Sequence, residues 1–188
     1  MTREELEHAI RAASDVAGDT ELWVFGSQSI LGEYPNAPAE LRTSIEVDVD
    51  PKNRPDFVDH IDGSLGEGSR FHDTHGFYVH GVSIETATLP RGWQRRTKRI
   101  QNANTNNATG FCLESHDLAA SKLAAFREKD REFVRILMRE RLIDPNRLTR
   151  LINLLPLPKD RQTRLRTWTD ATAQELGLNR NQQAEERR

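Results

Sequence analysis

Ser44-Ile45-Glu46-Val47-Asp48-Val49-Asp50 is the stretch on which the fold turns. Ile45, Val47 and Val49 alternate strictly with Glu46, Asp48 and Asp50, and successive side chains of a strand point to opposite faces. The pattern therefore predicts a strand with every carboxylate on one face, broken by Pro51 to Pro55. A solvent-exposed face of an edge strand would give the same alternation. Three like charges on one face repel, however, unless a cation offsets them. Glu46 and Asp48, two residues apart, have the reach to hold one or two hard cations through oxygen ligands. Asp50 is a weaker member of the set, since Pro51 follows and its alternative is simply to end the strand.

Upstream, Leu6, Ile10, Ala13 and Val16 recur at helical spacing, so residues 3 to 17 read as an amphipathic helix ended by Gly18-Asp19-Thr20. Leu22 to Phe25 reads as a strand, and Gly26-Ser27 as a turn into a helical turn at Gln28 to Leu31. Backbone N–H groups and a hydroxyl at that turn offer a cradle for phosphates. Pro35, Asn36 and Pro38 mark a loop, and Ala39 to Arg42 a further short turn.

Downstream, Phe57 to Leu65 is expected to be helical, Gly66, Gly68 and Gly76 to frame a loop, and Tyr78 to Ala87 to form a strand carrying Glu85. Asn102 to Asn107 reads as a loop before a short strand at Thr109 to Leu113. From His116 the pattern turns helical. Residues up to Arg141, without Pro or Gly, form one or two helical segments, Pro145 is expected to stop them, and a last hairpin covers 147–155 and 159–176. On this reading residues 1–115 are a catalytic core, 116–180 a C-terminal helical segment, and 181–188 a polar tail.

Charged residues make up 30% of the 188 and hydrophobic ones 36%, the balance of a soluble globular chain rather than a disordered or membrane one. No apolar run approaches a bilayer span and the acidic N-terminus has no signal-peptide character, so the expected location is the cytoplasm with no membrane partner. A net charge of -2 argues against a wholly basic nucleic-acid coat. Basic residues nonetheless cluster at Arg91, Arg95, Arg96, Lys98 and Arg99 and again at Arg161, Arg164 and Arg166. Of these, Arg95, Arg96, Lys98 and Arg99 are candidates to guide an RNA backbone, with Trp93 available for stacking, and a solvated basic stretch is the alternative. The single cysteine, Cys112, between Phe111 and Leu113, excludes a disulfide framework and reads as packing. His72, His75 and His80, with Asp73, fit no usual zinc spacing.

Phe25-Gly26-Ser27-Gln28-Ser29-Ile30-Leu31-Gly32 followed by Ser44-Ile45-Glu46-Val47-Asp48-Val49 resembles the Gly-Ser and acidic-pair signatures of the polymerase-β-like minimal nucleotidyltransferases. Phe71-His72, Gly81-Val82, Glu85-Thr86-Ala87-Thr88-Leu89-Pro90, Gly92-Trp93, Asp117-Leu118, Lys122-Leu123 and Arg127-Glu128-Lys129-Asp130 are similar to the small bacterial branch related to AbiEii and MenT-type toxins. The resemblance covers residues 20 to 140. It departs in having Glu at the first acidic position, and a longer, Pro-rich interval between Ser27 and Glu46.

The resemblance implies an α/β polymerase-β-like core with a mixed sheet and a C-terminal helical segment. It also implies a toxin of a toxin–antitoxin pair that transfers nucleotides from an NTP to the 3′ acceptor end of tRNA with Mg²⁺, so blocking translation, with a cognate antitoxin as partner. Carried over residue by residue, Ser27, beside Gly26, contacts the triphosphate, and Glu46 and Asp48 hold metal. Lys122 contacts nucleotide phosphate and Asp130 is an active-site acid. Lys122 and Asp130, eight residues apart, close to two helical turns, can share one side of a helix, and a solvated helical face is their alternative. Glu85 is a candidate for the third metal carboxylate common in the wider superfamily, or else a surface glutamate at a strand end. Two other functions stay open: modification of a protein or small molecule by the same chemistry, and a catalytically degenerate, antitoxin-like binding module.

Overall fold

The computed structural model describes residues 1–178, so the expected polar tail at 181–188 lies outside the described residues. The chain forms two compact units, Met1–Ala87 with Trp93–Glu114, and Thr88–Gly92 with the chain from Ser115.

The first unit is built on a five-stranded mixed sheet of order β3-β2-β1-β5-β4. Its strands are β1 (Glu21–Phe25), β2 (Glu46–Pro51), β3 (Tyr78–Gly81), β4 (Lys98–Ile100) and β5 (Thr109–Cys112). β1 runs antiparallel to β2 and parallel to β5, β2 is parallel to β3, and β4 is antiparallel to β5. β2 is thus paired on both sides and is an interior strand, not an edge. Its register with β1 sets Asp48 opposite Phe25 and Asp50 opposite Trp23.

The pleat sorts the two faces. Leu22, Val24, Val47, Val49, Val79 and Cys112 are all fully buried on one face, packed with Leu6, Ile10 and Ala13 of α1 (Arg3–Ala17) and Ile61 of α2 (Val58–Leu65). Each aliphatic side chain so buried contributes about 1.5–3 kcal/mol of transfer free energy. Burial pushes the Cys112 thiol up to about 12, as suits a packing residue without a reactive thiolate. α1 starts where the sequence dictates. The Thr2 hydroxyl accepts from the Glu5 N–H at 3.2 Å while the Thr2 N–H donates to the Glu5 carboxylate at 2.7 Å, a reciprocal cap. The opposite sheet face carries Glu46, Asp48 and Asp50, with Trp23 and Phe111 beside them.

Three expectations for this unit need correction. The stretch read as a Gly-framed loop contains a short helix, α3 (Arg70–His75), started by the Ser69 hydroxyl accepting from the His72 N–H. The strand expected to reach Ala87 stops at Gly81, whose backbone lies against Val58 and Ile61 of α2 too closely for any side chain. Ser83 then caps a 3₁₀ turn at Ile84–Thr86. The basic stretch contains β4, whose hydrogen-bonding to β5 its charged composition hides.

The second unit is helical: α4 (Ser115–Ala125), α5 (Glu128–Arg139), α6 (Pro145–Ile152) and α7 (Lys159–Glu175), packed α4 on α5, α4 on α6 and α6 on α7. The segment Thr88–Gly92 belongs here, the Arg91 N–H donating to the Leu154 carbonyl at 3.0 Å. The run from His116 to Arg141 is interrupted because Phe126 adopts left-handed backbone at φ 56°. Pro145 begins a helix rather than ending one. It sits at the first helical position, where its missing N–H costs nothing, and the Asp144 carboxylate before it accepts from the Asn146 N–H at 2.8 Å. Among the described residues no helix is long and apolar enough to cross a membrane.

Candidate functional site

The site begins where β1 ends. After Phe25 the chain turns through Gly26 at φ 64°, ψ -169°, a conformation nearly restricted to glycine, and enters a 3₁₀ turn at Ser27–Gly32. A second constraint coincides with the first, since a Cβ on Gly26 would collide with the Asp48 carboxylate. The turn is pinned by the Ser29 hydroxyl, which donates to the Gly26 carbonyl at 2.8 Å. Gln28, next to Ser27, is fully buried with neither side-chain amide atom hydrogen-bonded. Phe25 faces Asp48 in the register, so the Gly-Ser turn stands immediately beside the acidic strand.

On β2, Glu46 and Asp48 are both half-buried, and β3 brings a third group to them. His80 pairs with Asp48 across the parallel ladder, and its Nδ1 lies 3.0 Å from Asp48 Oδ1 and 3.1 Å from Glu46 Oε1. Ligand atoms of Glu46, Asp48 and His80 all fall within 4.8 Å of one another. Two carboxylate oxygens and one imidazole nitrogen are a donor set that fits a divalent cation. The oxygens suit Mg²⁺, and the nitrogen widens the choice to Mn²⁺ or Zn²⁺. Next on the same face, Asp50 is buried; Oδ2 accepts from the Ile84 N–H at 2.8 Å while Oδ1 has no hydrogen-bond partner. Burial first, and then the charge of Glu85, push its carboxyl above the usual range.

The third partner of the acidic pair is therefore His80, and Glu85 stands outside the cluster, exposed on the 3₁₀ turn after β3. His72 and His75 are used elsewhere. His72 Nδ1 accepts from the Gly68 N–H at 3.0 Å, and His75 packs with His8, Phe71 and Phe77. The signal that singles out His80 is its place in Tyr78-Val79-His80-Gly81, where alternation around the buried Val79 puts Tyr78 and His80 on the carboxylate face. Histidine spacing alone cannot reveal it. If His80 is a ligand, His80→Ala should weaken divalent-cation binding by about 10- to 100-fold, measured by titration calorimetry, and reduce any preference for Mn²⁺ over Mg²⁺. Unchanged affinity for both ions would remove His80 from the site.

Beside the carboxylates lies an aromatic surface. Trp23 meets Trp93 edge-on at 4.8 Å between ring centroids and Phe111 at 5.3 Å, all three half-buried. The Lys52 ammonium stands 5.4 Å and 4.8 Å from the Trp23 and Phe111 centroids. Among the basic residues of this region, Arg95 and Arg96 lie on the 3₁₀ turn Trp93–Arg96. Lys98 and Arg99 follow on β4, where the pleat sends them to opposite faces. Lys98 pairs with Glu33 at 2.9 Å, and Arg99 reaches Thr109 and Gln101. The four do not make one patch.

Lys122 and Asp130 belong to the second unit and lie on different helices, α4 and α5, because Phe126 breaks the run between them. They nevertheless meet, Lys122 Nζ lying 3.4 Å from Asp130 Oδ1. Asp130 is buried, and Arg127 adds bonds of 2.6 Å and 3.3 Å to its two oxygens. Burial raises this carboxyl, but the hydrogen bonds and charges of Arg127 and Lys122 outweigh it, so its pKa lies below the ordinary value. A depressed folded-state pKa contributes stability that is present above the unfolded value and lost as pH falls through the folded one. Asp130→Asn should thus lower the melting temperature at neutral pH and flatten its decline below about pH 4, read by circular dichroism across that range. Identical curves would show that the pair contributes nothing to folding.

The family described as "nucleotidyltransferase of unknown function (DUF6036)" matches the chain over residues 4–174. No curated protein and no solved structure matches it.

Proposed function

Given that the chain belongs to this nucleotidyltransferase family, we propose that it is a divalent-metal-dependent enzyme moving a nucleotide from an NTP onto the 3′ acceptor end of tRNA, as the toxin of a toxin–antitoxin pair. The observation that carries the catalytic part is the fit of Gly26 against Asp48. One residue's backbone conformation both turns the chain into the Ser27 segment and leaves room for a carboxylate that Glu46 and His80 approach. The tRNA acceptor and the toxin role come from the resemblance to the AbiEii and MenT-type branch.

In this reading Glu46, Asp48 and His80 hold Mg²⁺ or a similar ion, which would supply positive charge to the phosphates of the NTP when bound. Ser27 and the backbone after Gly26 bind the triphosphate. The half-buried rings of Trp23, Trp93 and Phe111, with Lys52 over two of them, present a stacking surface for a nucleobase on the sheet face that bears the carboxylates. A terminal hydroxyl of the acceptor attacks the α-phosphorus and gives up its proton to water, a new P–O bond forms, and the bond to pyrophosphate breaks. Nucleotidyl transfer of this kind depends on positioning and charge stabilisation more than on covalent help, which is what a rigid interior strand can provide.

Lys122 is proposed to contact nucleotide phosphate and Asp130 to act as an acid of the site, roles resting on the resemblance. Arg95, Arg96, Lys98 and Arg99 are proposed as candidate RNA contacts, Lys98 after exchanging its pairing with Glu33. The test is to incubate the protein with total tRNA, Mg²⁺ and each α-labelled NTP in turn. Label on tRNA from one NTP supports the assignment. Label that moves with protein or a small molecule retains the chemistry and replaces the acceptor.

A further inference from the structure

The second unit contains a basic and aromatic feature that the carboxylate site does not use. An open cleft of ≈ 820 Å³ is lined by Phe126, Arg131, Asp160, Arg164, Thr167 and Trp168, among others. Phe126 and Trp168, both half-buried, meet edge-on at 6.2 Å between centroids. The guanidinium carbons of Arg131 and Arg164 stand 4.9 Å and 4.8 Å from the centroid of the Phe126 ring. Among the described residues neither arginine makes an ion pair, and Asp160 is the one acid in the lining. Phe126 presents its ring to both from left-handed backbone at φ 56°, which a non-glycine residue adopts at a cost of about 1 kcal/mol or more.

Two cations without an ion-pair partner among the described residues, converging on one ring, repel each other, and with a single acid in the lining a polyanion entering the cleft would relieve that repulsion. Exposed ring surface beside them suits a planar group, and arginine with aromatic partners is how proteins hold unpaired bases and the adjoining backbone. An acidic peptide would satisfy the charges but leave the rings without a stacking partner.

We propose that this cleft binds a single-stranded segment of RNA, one base stacking against Phe126 and Trp168 and the neighbouring phosphates pairing with Arg131 and Arg164. The choice of RNA among polyanions rests on the acceptor class proposed above. The Thr167 hydroxyl can hydrogen-bond base or sugar, and Asp160 weakens the attraction for phosphate.

The experiment measures anisotropy of a short labelled single-stranded RNA on the full chain, with EDTA and no NTP so that no transfer occurs, over a series of salt concentrations. Doubly substituted Arg131→Gln/Arg164→Gln protein should bind about tenfold or more weakly, its log–log salt slope shallower by about 1.4. Trp168→Leu should weaken binding about five- to tenfold with the slope unchanged. Asp160→Asn should tighten it, which keeps the test alive if circular dichroism shows the arginine variant unfolded. Parental affinity and slope in the folded arginine variant would overturn the proposal. So would competition by a poly-glutamate peptide equal to that by RNA, or looser binding in Asp160→Asn. Because no catalysis is involved, failure here leaves nucleotide transfer intact, whereas loss of the transferase reading would leave these affinities as measured.

Discussion

Asp48→Ala is expected to lower nucleotide transfer by about a thousandfold or more, with the protein still folded. Asp48 is the residue on which the site converges. It pairs with Phe25 at the end of β1 and with His80 on β3, its Oδ1 lies 3.0 Å from His80 Nδ1, and its carboxylate lies against the backbone of Gly26. Removing it takes away one of two oxygen donors and leaves Glu46 and His80 without the geometry to hold a cation between them. The fold should tolerate the loss because Asp48 belongs to the half-buried carboxylate face, while Val47 and Val49 on either side remain in the core. Steady-state transfer rates with matched circular-dichroism melts check this. Retained transfer in folded Asp48→Ala protein would remove the carboxylate face from the chemistry.

Gly26→Ala should be almost as damaging, for a different reason. Alanine at φ 64°, ψ -169° is strained by about 1–3 kcal/mol, and its methyl group would occupy the position of the Asp48 carboxylate. Either the turn rearranges or Asp48 is displaced. Since catalytic groups displaced by about 1 Å cost about 100-fold in rate, transfer should fall by at least that much while stability falls only by the strain. The separation is the informative part. A variant destabilised to this degree but fully active would show that the turn and the acidic strand do not act together.

The acidic strand was legible in the sequence because its apolar and acidic residues alternate strictly, and α1 because its apolar stripe and terminal Gly18 agree. The elements that escaped are those whose stability comes from tertiary packing. β4 is three residues long and largely charged, and it exists because β5 offers it a ladder. α3 interrupts a Gly-rich stretch because its aromatic residues pack with His8 and Phe77. The end of β3 was misplaced because the close approach of α2 to Gly81 is a contact between distant segments.

The site follows the same division. Glu46, Asp48 and the Gly-Ser turn were visible as local patterns. His80 was hidden because it joins them only through the parallel pairing of β2 with β3, and Trp23 and Phe111 because their alignment comes from the pairing of β1 with β5. Of the two readings of Glu85, third carboxylate or surface glutamate, the turn at Ile84–Thr86 favours the second, because β3 stops at Gly81 and leaves Glu85 exposed outside the cluster. Lys122 and Asp130 were expected on one helix and meet from two, which a helical count across Phe126 could not anticipate.

The most direct measurement follows the two ends of the triphosphate separately. Wild-type protein with Mg²⁺ and total tRNA is given the same NTP labelled either at the α- or at the γ-phosphate, and the label on RNA and in released pyrophosphate is counted. Nucleotidyl transfer predicts α-label on the RNA and γ-label only in pyrophosphate, with both signals lost in Asp48→Ala. γ-Label on the acceptor, or no label on RNA, protein or small molecules from any of the four NTPs, would contradict the account.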